Sequence, residues 1–141
     1  MEWLKLYLDY AVIGLLGFML FLAVAFAVER WLYYRQVAVE RFDHLETFHT
    51  ALTRNLTIIS SVGANAPYVG LLGTVLGIMI TFYDMGQGGA IETQAIMTGL
   101  ALALKATAMG LLVAIPSILF YNGLMRRVDV LVAEWKRVHE R

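Results

Sequence analysis

Lys105 lies inside the third of three apolar runs, in the stretch Ala101–Gly110, and is the single full charge within any of them. An ammonium at the centre of a spanning helix costs at least ~3 kcal/mol on insertion scales, so such a residue is read first as a functional group. The chemistry open to it is electrostatic: an ammonium within ~4–6 Å of a carboxylate favours the ionised form and lowers its pKa. The alternative is that the long stem lets the amine snorkel to the nearer interface. Hydroxyls stand nearby. In the second run Gly70, Thr74, Gly77 and Thr81 recur at steps of four and three, and in the third so do Ala103, Thr107, Gly110, Ala114, Ser117 and Tyr121. Helical periodicity puts each row on one face. Such a face can line a narrow hydrated path, where Thr74, Thr107 and Thr81 orient water or a partner's ionisable group. It can equally be a packing seam, since small residues let backbones approach in lipid and Gly73–Gly77 is a GxxxG.

The elements that must carry these rows follow from composition. Of 141 residues, 60% are hydrophobic and 16% charged, far from the roughly one quarter charged of a soluble domain. The runs Ala11–Val28, Ala66–Tyr83 and Ala95–Tyr121 each meet the ~17–25 residues a spanning helix needs. The chain therefore reads as an all-α membrane protein with three transmembrane helices, the second and third extended into the cytoplasm. The expected layout is an interfacial helix over 1–10 anchored by Trp3, Tyr7 and Tyr10, and spans at 11–28, 65–83 and 95–124. A cytoplasmic helical segment (29–64), a periplasmic loop (84–94) and a cytoplasmic tail (125–141) complete it. The first span is retained and not a signal peptide, because Met1–Asp9 carries Glu2 and Asp9 against one Lys5, where a signal peptide opens with positive charge.

Nine Lys and Arg lie in the middle segment and tail, against Lys5 alone before the first span and none in Asp84–Gln94. The positive-inside rule places the N-terminus and the Gly-rich loop outside, and the basic segments in the cytoplasm. In those segments Phe42, Leu45, Phe48, Leu52, Leu56 and Ile59 follow the amphipathic helical pattern, as do Val128, Leu131, Val132, Trp135 and Val138. Their apolar stripes must pack on each other or on neighbouring copies, which points to an oligomeric helical bundle. Pro67 is expected to open the second span, where a missing N–H is harmless, and Pro116 to kink the third near Leu112.

Two blocks of this chain, Ala66–Phe82 (APYVGLLGTVLGIMITF) and Ala106–Asn122 (ATAMGLLVAIPSILFYN), together with Glu29-Arg30 closing the first span, resemble the MotA/TolQ/ExbB proton-channel family, nearest to its ExbB members. The resemblance implies a bacterial inner-membrane protein forming a pentamer around a dimer of a single-span, ExbD-like partner that brings the membrane aspartate. It implies use of the proton-motive force to energise a TonB-like protein, with Thr74 and Thr107 at positions of pore threonines. Many members carry a glutamate five residues before the second of these; here that position is Leu102, and Lys105 follows three residues on. On an ideal helix Lys105 lies about 60° from Leu102 and about 160° from Thr107.

The residues themselves agree on one point. No span contains Asp or Glu, and a proton path needs an ionisable group cycling near the midplane, so an acidic group must come from a partner. An ATP-driven pump is disfavoured by the absence of a phosphate-binding G-x-x-x-x-G-K-[ST] loop. An enzyme or metal centre is disfavoured because no span carries His or Cys, and His44, His49 and His139 lack ligand spacing. No cofactor and no nucleic acid are expected; membrane lipid is. A TolQ-like role in envelope maintenance and a non-conducting helical scaffold are the alternatives. A MotA-like role would need a fourth span and a larger cytoplasmic domain.

Overall fold

A computed structural model describes residues 2–88 and 92–140. Helix α1 spans Glu2–Gln36; after a 3-10 turn at Val39–Arg41 come α2 (Leu45–Thr53), α3 (Leu56–Gln87) and α4 (Thr93–His139). The three long helices are each apolar and long enough to cross a membrane, and the chain is an all-α membrane protein. At 47 residues, α4 is about 70 Å long, more than twice the ~30 Å hydrocarbon core. Much of it must stand in water.

Several boundaries differ from the expected layout for local reasons. Residues 2–10 are the first turns of α1 and not a separate helix, because no Gly or Pro precedes Gly14 to interrupt the ladder. α1 also continues two turns past Val28. The loop expected at 84–94 shrinks, since α3 runs to Gln87 and α4 starts at Thr93; residues 89–91 of it lie outside the described residues, as do Met1 and Arg141. Pro67 does not open a helix. It sits eleven residues inside α3, so the Gly63 carbonyl loses its intrahelical donor. Pro116 likewise lies within an uninterrupted α4.

The buried face of α1 (Leu16, Ala23, Ala27, Arg30, Tyr34) has steps near three and a half residues, the signature of a helix seam. Its apolar half packs Leu16 and Ala23 with Val62, Ala66, Val113 and Ala114. A second core gathers Phe48, Leu52, Leu56, Ile59, Val128, Leu131 and Trp135. The two amphipathic stripes therefore bury each other inside one protomer, and do not by themselves require neighbouring copies.

Arg30 fastens α2 to α1. It is 3% exposed; Nη1 donates to the Ala51 carbonyl at 2.8 Å, while Nε and Nη2 engage the Glu29 carboxylate. Tyr34 Oη donates to the Leu52 carbonyl at 2.5 Å. The last carbonyls of α2 have no intrahelical donors and no basic residue in their own last turn, so a cation from α1 supplies both charge and hydrogen bonds. Asn55, at φ 67°, then turns the chain into α3, a conformation Asn tolerates better than most residues.

The bond from Arg30 holds the Glu29 carboxyl below its ordinary range, opposed by burial and aided by the charges of Arg30 and Arg54. Burial pushes Tyr34 up to about 12. A lowered carboxylate stabilises the fold above the usual Glu range and loses that contribution on acidification. A raised phenol stabilises it below about pH 10 and loses it toward 12. The clamp is thus intact throughout the neutral range. Arg30→Met is expected to cost about 2 kcal/mol, a hydrogen bond to a charged group, and to make residues 42–55 the first site of limited proteolysis. Unchanged cleavage there would show that the apolar core alone holds α2.

Candidate functional site

The site is built where α3 and α4 cross. Gly70 and Gly110 face each other with no side chain between. A Cβ on Gly70 would lie 2.5 Å from the Ala106 carbonyl oxygen and 3.1 Å from Gly110 Cα, and one on Gly110 would lie 2.7 Å from the Ala66 oxygen. Above this contact Gly73 meets Ala106 and Val12, and Gly77 meets Ala103; below it Gly63 meets Ile118. Ala114 is buried in the adjoining core. The small-residue rows are therefore a packing seam along most of their length.

At one level the seam carries polar chemistry. Thr74, 6% exposed, donates from Oγ1 to the Ala103 carbonyl at 2.9 Å and lies 2.5 Å from Thr107 Oγ1. A hydroxyl has one proton. With that of Thr74 committed to Ala103, Thr107 must donate to Thr74, which leaves the Thr107 oxygen as an acceptor facing outward. Helix α1 lies on the other flank of the crossing: Val12, Met19, Leu20, Val69 and Met109 complete the core there, and at 100° per residue Thr74 and Thr107 fall on the opposite side of α3 and α4. Half-buried Thr107 thus opens on a face that the protomer leaves uncovered.

The other expected site residues are placed differently. Thr81 is 3% exposed, bonds the Gly77 carbonyl at 2.9 Å and packs on Gly99. Its hydroxyl is consumed within its own helix. Lys105 is exposed and is not brought to the hydroxyl pair; it lies on the flank of α4 nearer α1, as does Leu102. Its neighbour Ala106 meets Gly73, which also meets Val12. Val12 is the second residue of the first apolar run, so the backbone at Lys105 lies level with that run's N-terminal edge although it is central in the third. Among the described residues no carboxylate is in ion-pair distance of it. Lys5, by contrast, lies 3.9 Å from Asp84.

Two features escaped the reading of the sequence. Arg30 looked like a span-closing charge, and its carbonyl partners 21 residues on carry no sequence signal. Thr57, Ser61, Asn65 and Tyr68 form a mostly polar stripe at steps of four and three, exposed along the N-terminal half of α3. A search for polar residues at helical spacing would have found it. Among the described residues no group of His, Cys, Asp and Glu is arranged to hold a metal.

Three apolar helices packed through a glycine crossing with a hydroxyl pair, and no acid within their apolar runs, define a polytopic membrane protein. The chain belongs to the MotA/TolQ/ExbB proton channel family, which residues 38–137 match. It is 51% identical to the biopolymer transport protein ExbB of Aquifex aeolicus over 99% of this chain and 94% of that one. It is 50% identical to ExbB of Helicobacter pylori strain J99 over 96% and 94%. The Tol-Pal system protein TolQ of Pseudomonas aeruginosa is 38% identical over 60% of this chain and 36% of that protein.

Proposed function

We propose that this chain is the ring-forming subunit of a proton channel in the bacterial inner membrane, with its N-terminus periplasmic and its C-terminus cytoplasmic. About five copies surround a dimer of an ExbD-like, single-span partner whose carboxyl group cycles protons, and the complex energises a TonB-like protein. The observation that carries this reading is the relay Thr107 to Thr74 to Ala103 on the flank that α1 leaves open. It presents an acceptor oxygen in a set of spans that has no acid of its own. A protonated carboxyl on a partner is the complementary donor.

The similarity to ExbB over nearly the whole of both chains favours the TonB-type role over a TolQ-type one, whose named relative matches a smaller part of this sequence. A non-conducting scaffold predicts no ion flux at all.

The test is proton flux in vesicles containing this chain with and without the co-expressed partner. Flux that requires both is the expected result; none in either case would sink the channel reading. Lys105→Met in the same vesicles tests whether the ammonium lowers the partner carboxyl's pKa. Lys105 lies on the flank of α4 nearer α1, about 160° from Thr107, so a carboxyl docked at Thr107 is out of its reach and an unchanged flux midpoint, which assigns Lys105 to snorkelling, is expected. A midpoint moved to higher pH would bring the ammonium to the partner's carboxyl.

A further inference from the structure

Away from the helix crossing, the C-terminal end of α1 and the stretch Leu119–Arg127 of α4 enclose a groove of about 540 Å³. Val24, Val28 and Trp31 form one wall, Phe120 and Gly123 the other, and Arg35 and Arg127 stand at the mouth. From the apolar run ending at Val28, the lining reaches four residues inward and seven outward. That is about 16 Å along α1, enough to cross the ~5–7 Å headgroup layer and enter the hydrocarbon. We propose that this groove binds an anionic phospholipid, with the phosphate held by Arg35 and Arg127 and one acyl chain along the apolar floor.

Charge argues for that occupant. Both arginines are exposed, and among the described residues neither has a carboxylate within ion-pair distance. The Arg35 guanidinium lies 4.9 Å over the Trp31 ring, which holds it at the mouth by a cation–π contact and leaves its donors free. Guanidinium forks match phosphate oxygens in pairs. The groove's own lining brings no carboxylate to the mouth, so the two guanidiniums call for an anion from outside the protomer. Shape agrees: a Cβ at Gly123 would meet nothing within 4 Å, so the missing side chain is what keeps the groove open.

The full chain, reconstituted in vesicles of equal parts phosphatidylglycerol and phosphatidylcholine, is released directly into native mass spectrometry. The expected result is enrichment of phosphatidylglycerol adducts, falling about fivefold with each of Arg35→Gln and Arg127→Gln. Gly123→Leu, which adds a good helix former in open space, removes adducts of both lipids while circular dichroism stays unchanged. Equal retention of the two lipids by the native sequence would overturn the proposal, as would full phosphatidylglycerol retention by Gly123→Leu. The chain has no cysteine, so Gly123→Cys supplies a single thiol. It should stay uncross-linked under oxidation; disulfide-linked dimers would put a second copy in the groove and overturn the lipid reading.

Discussion

Gly110→Leu is expected to remove the folded protein from the membrane fraction. The atoms that meet a new Cβ are backbone: the Ala66 oxygen at 2.7 Å, Gly70 Cα at 3.0 Å and Gly70 N at 3.2 Å. A flexible neighbour could swing aside, but here α3 and α4 would have to separate along a seam that continues to Gly63 and Gly77 on either side. Overpacking a core costs about 1–3 kcal/mol where side chains can yield; a backbone contact belongs at or beyond the top of that range. Separation would also pull Thr107 from Thr74. The measurement is denaturant unfolding of the purified chain in detergent, together with its yield from membranes. Gly123→Ala is the control, at a helical glycine whose Cβ would touch nothing, and should be neutral or slightly stabilising. Native-like stability of Gly110→Leu would mean that the two helices do not approach as described.

The second large effect is on conduction and not on folding. Thr107→Val keeps the side chain's shape but removes the outward acceptor and the donor to Thr74. A hydrogen bond to a charged or protonating group is worth about 1.5–3 kcal/mol, so proton flux with the partner present should fall about ten- to a hundredfold. Thr107→Ser, which keeps the hydroxyl, should conduct nearly as well as the native sequence. Thr74→Val should also reduce flux, because it leaves Thr107 without its acceptor. Thr81→Val should do little, its hydroxyl being bonded to Gly77 within the same helix. Normal flux in Thr107→Val, with partner binding intact, would reduce the hydroxyl pair to a packing contact.

These contrasts mark how far residue patterns reach. Thr74, Thr107 and Thr81 are alike in the sequence, each a hydroxyl at helical spacing in a small-residue row. Neighbouring helices separate them: Thr74 has the Ala103 carbonyl and Thr107 opposite, whereas Thr81 has Gly99. Lys105 shows the same limit. Its place within the third run is plain from the sequence, but its height depends on Val12 of another helix, which meets Gly73 beside Ala106.

What the sequence determined by itself is what belongs to a single helix in its solvent. Length and hydropathy make three long helices that can cross a membrane, because every backbone polar group in lipid must be satisfied within its own segment. Periodicity marks the faces that pack, and the family blocks are contiguous. Only the tertiary structure decided which faces meet and at what register. A period of 3.6 residues fixes angles within a helix but leaves the rotation and slide between two helices free. Here those are set by backbone contact at Gly70 and Gly110, and by Arg30 reaching the end of α2, and from them follow the paired threonines, the flank that stays open and the groove with its two arginines.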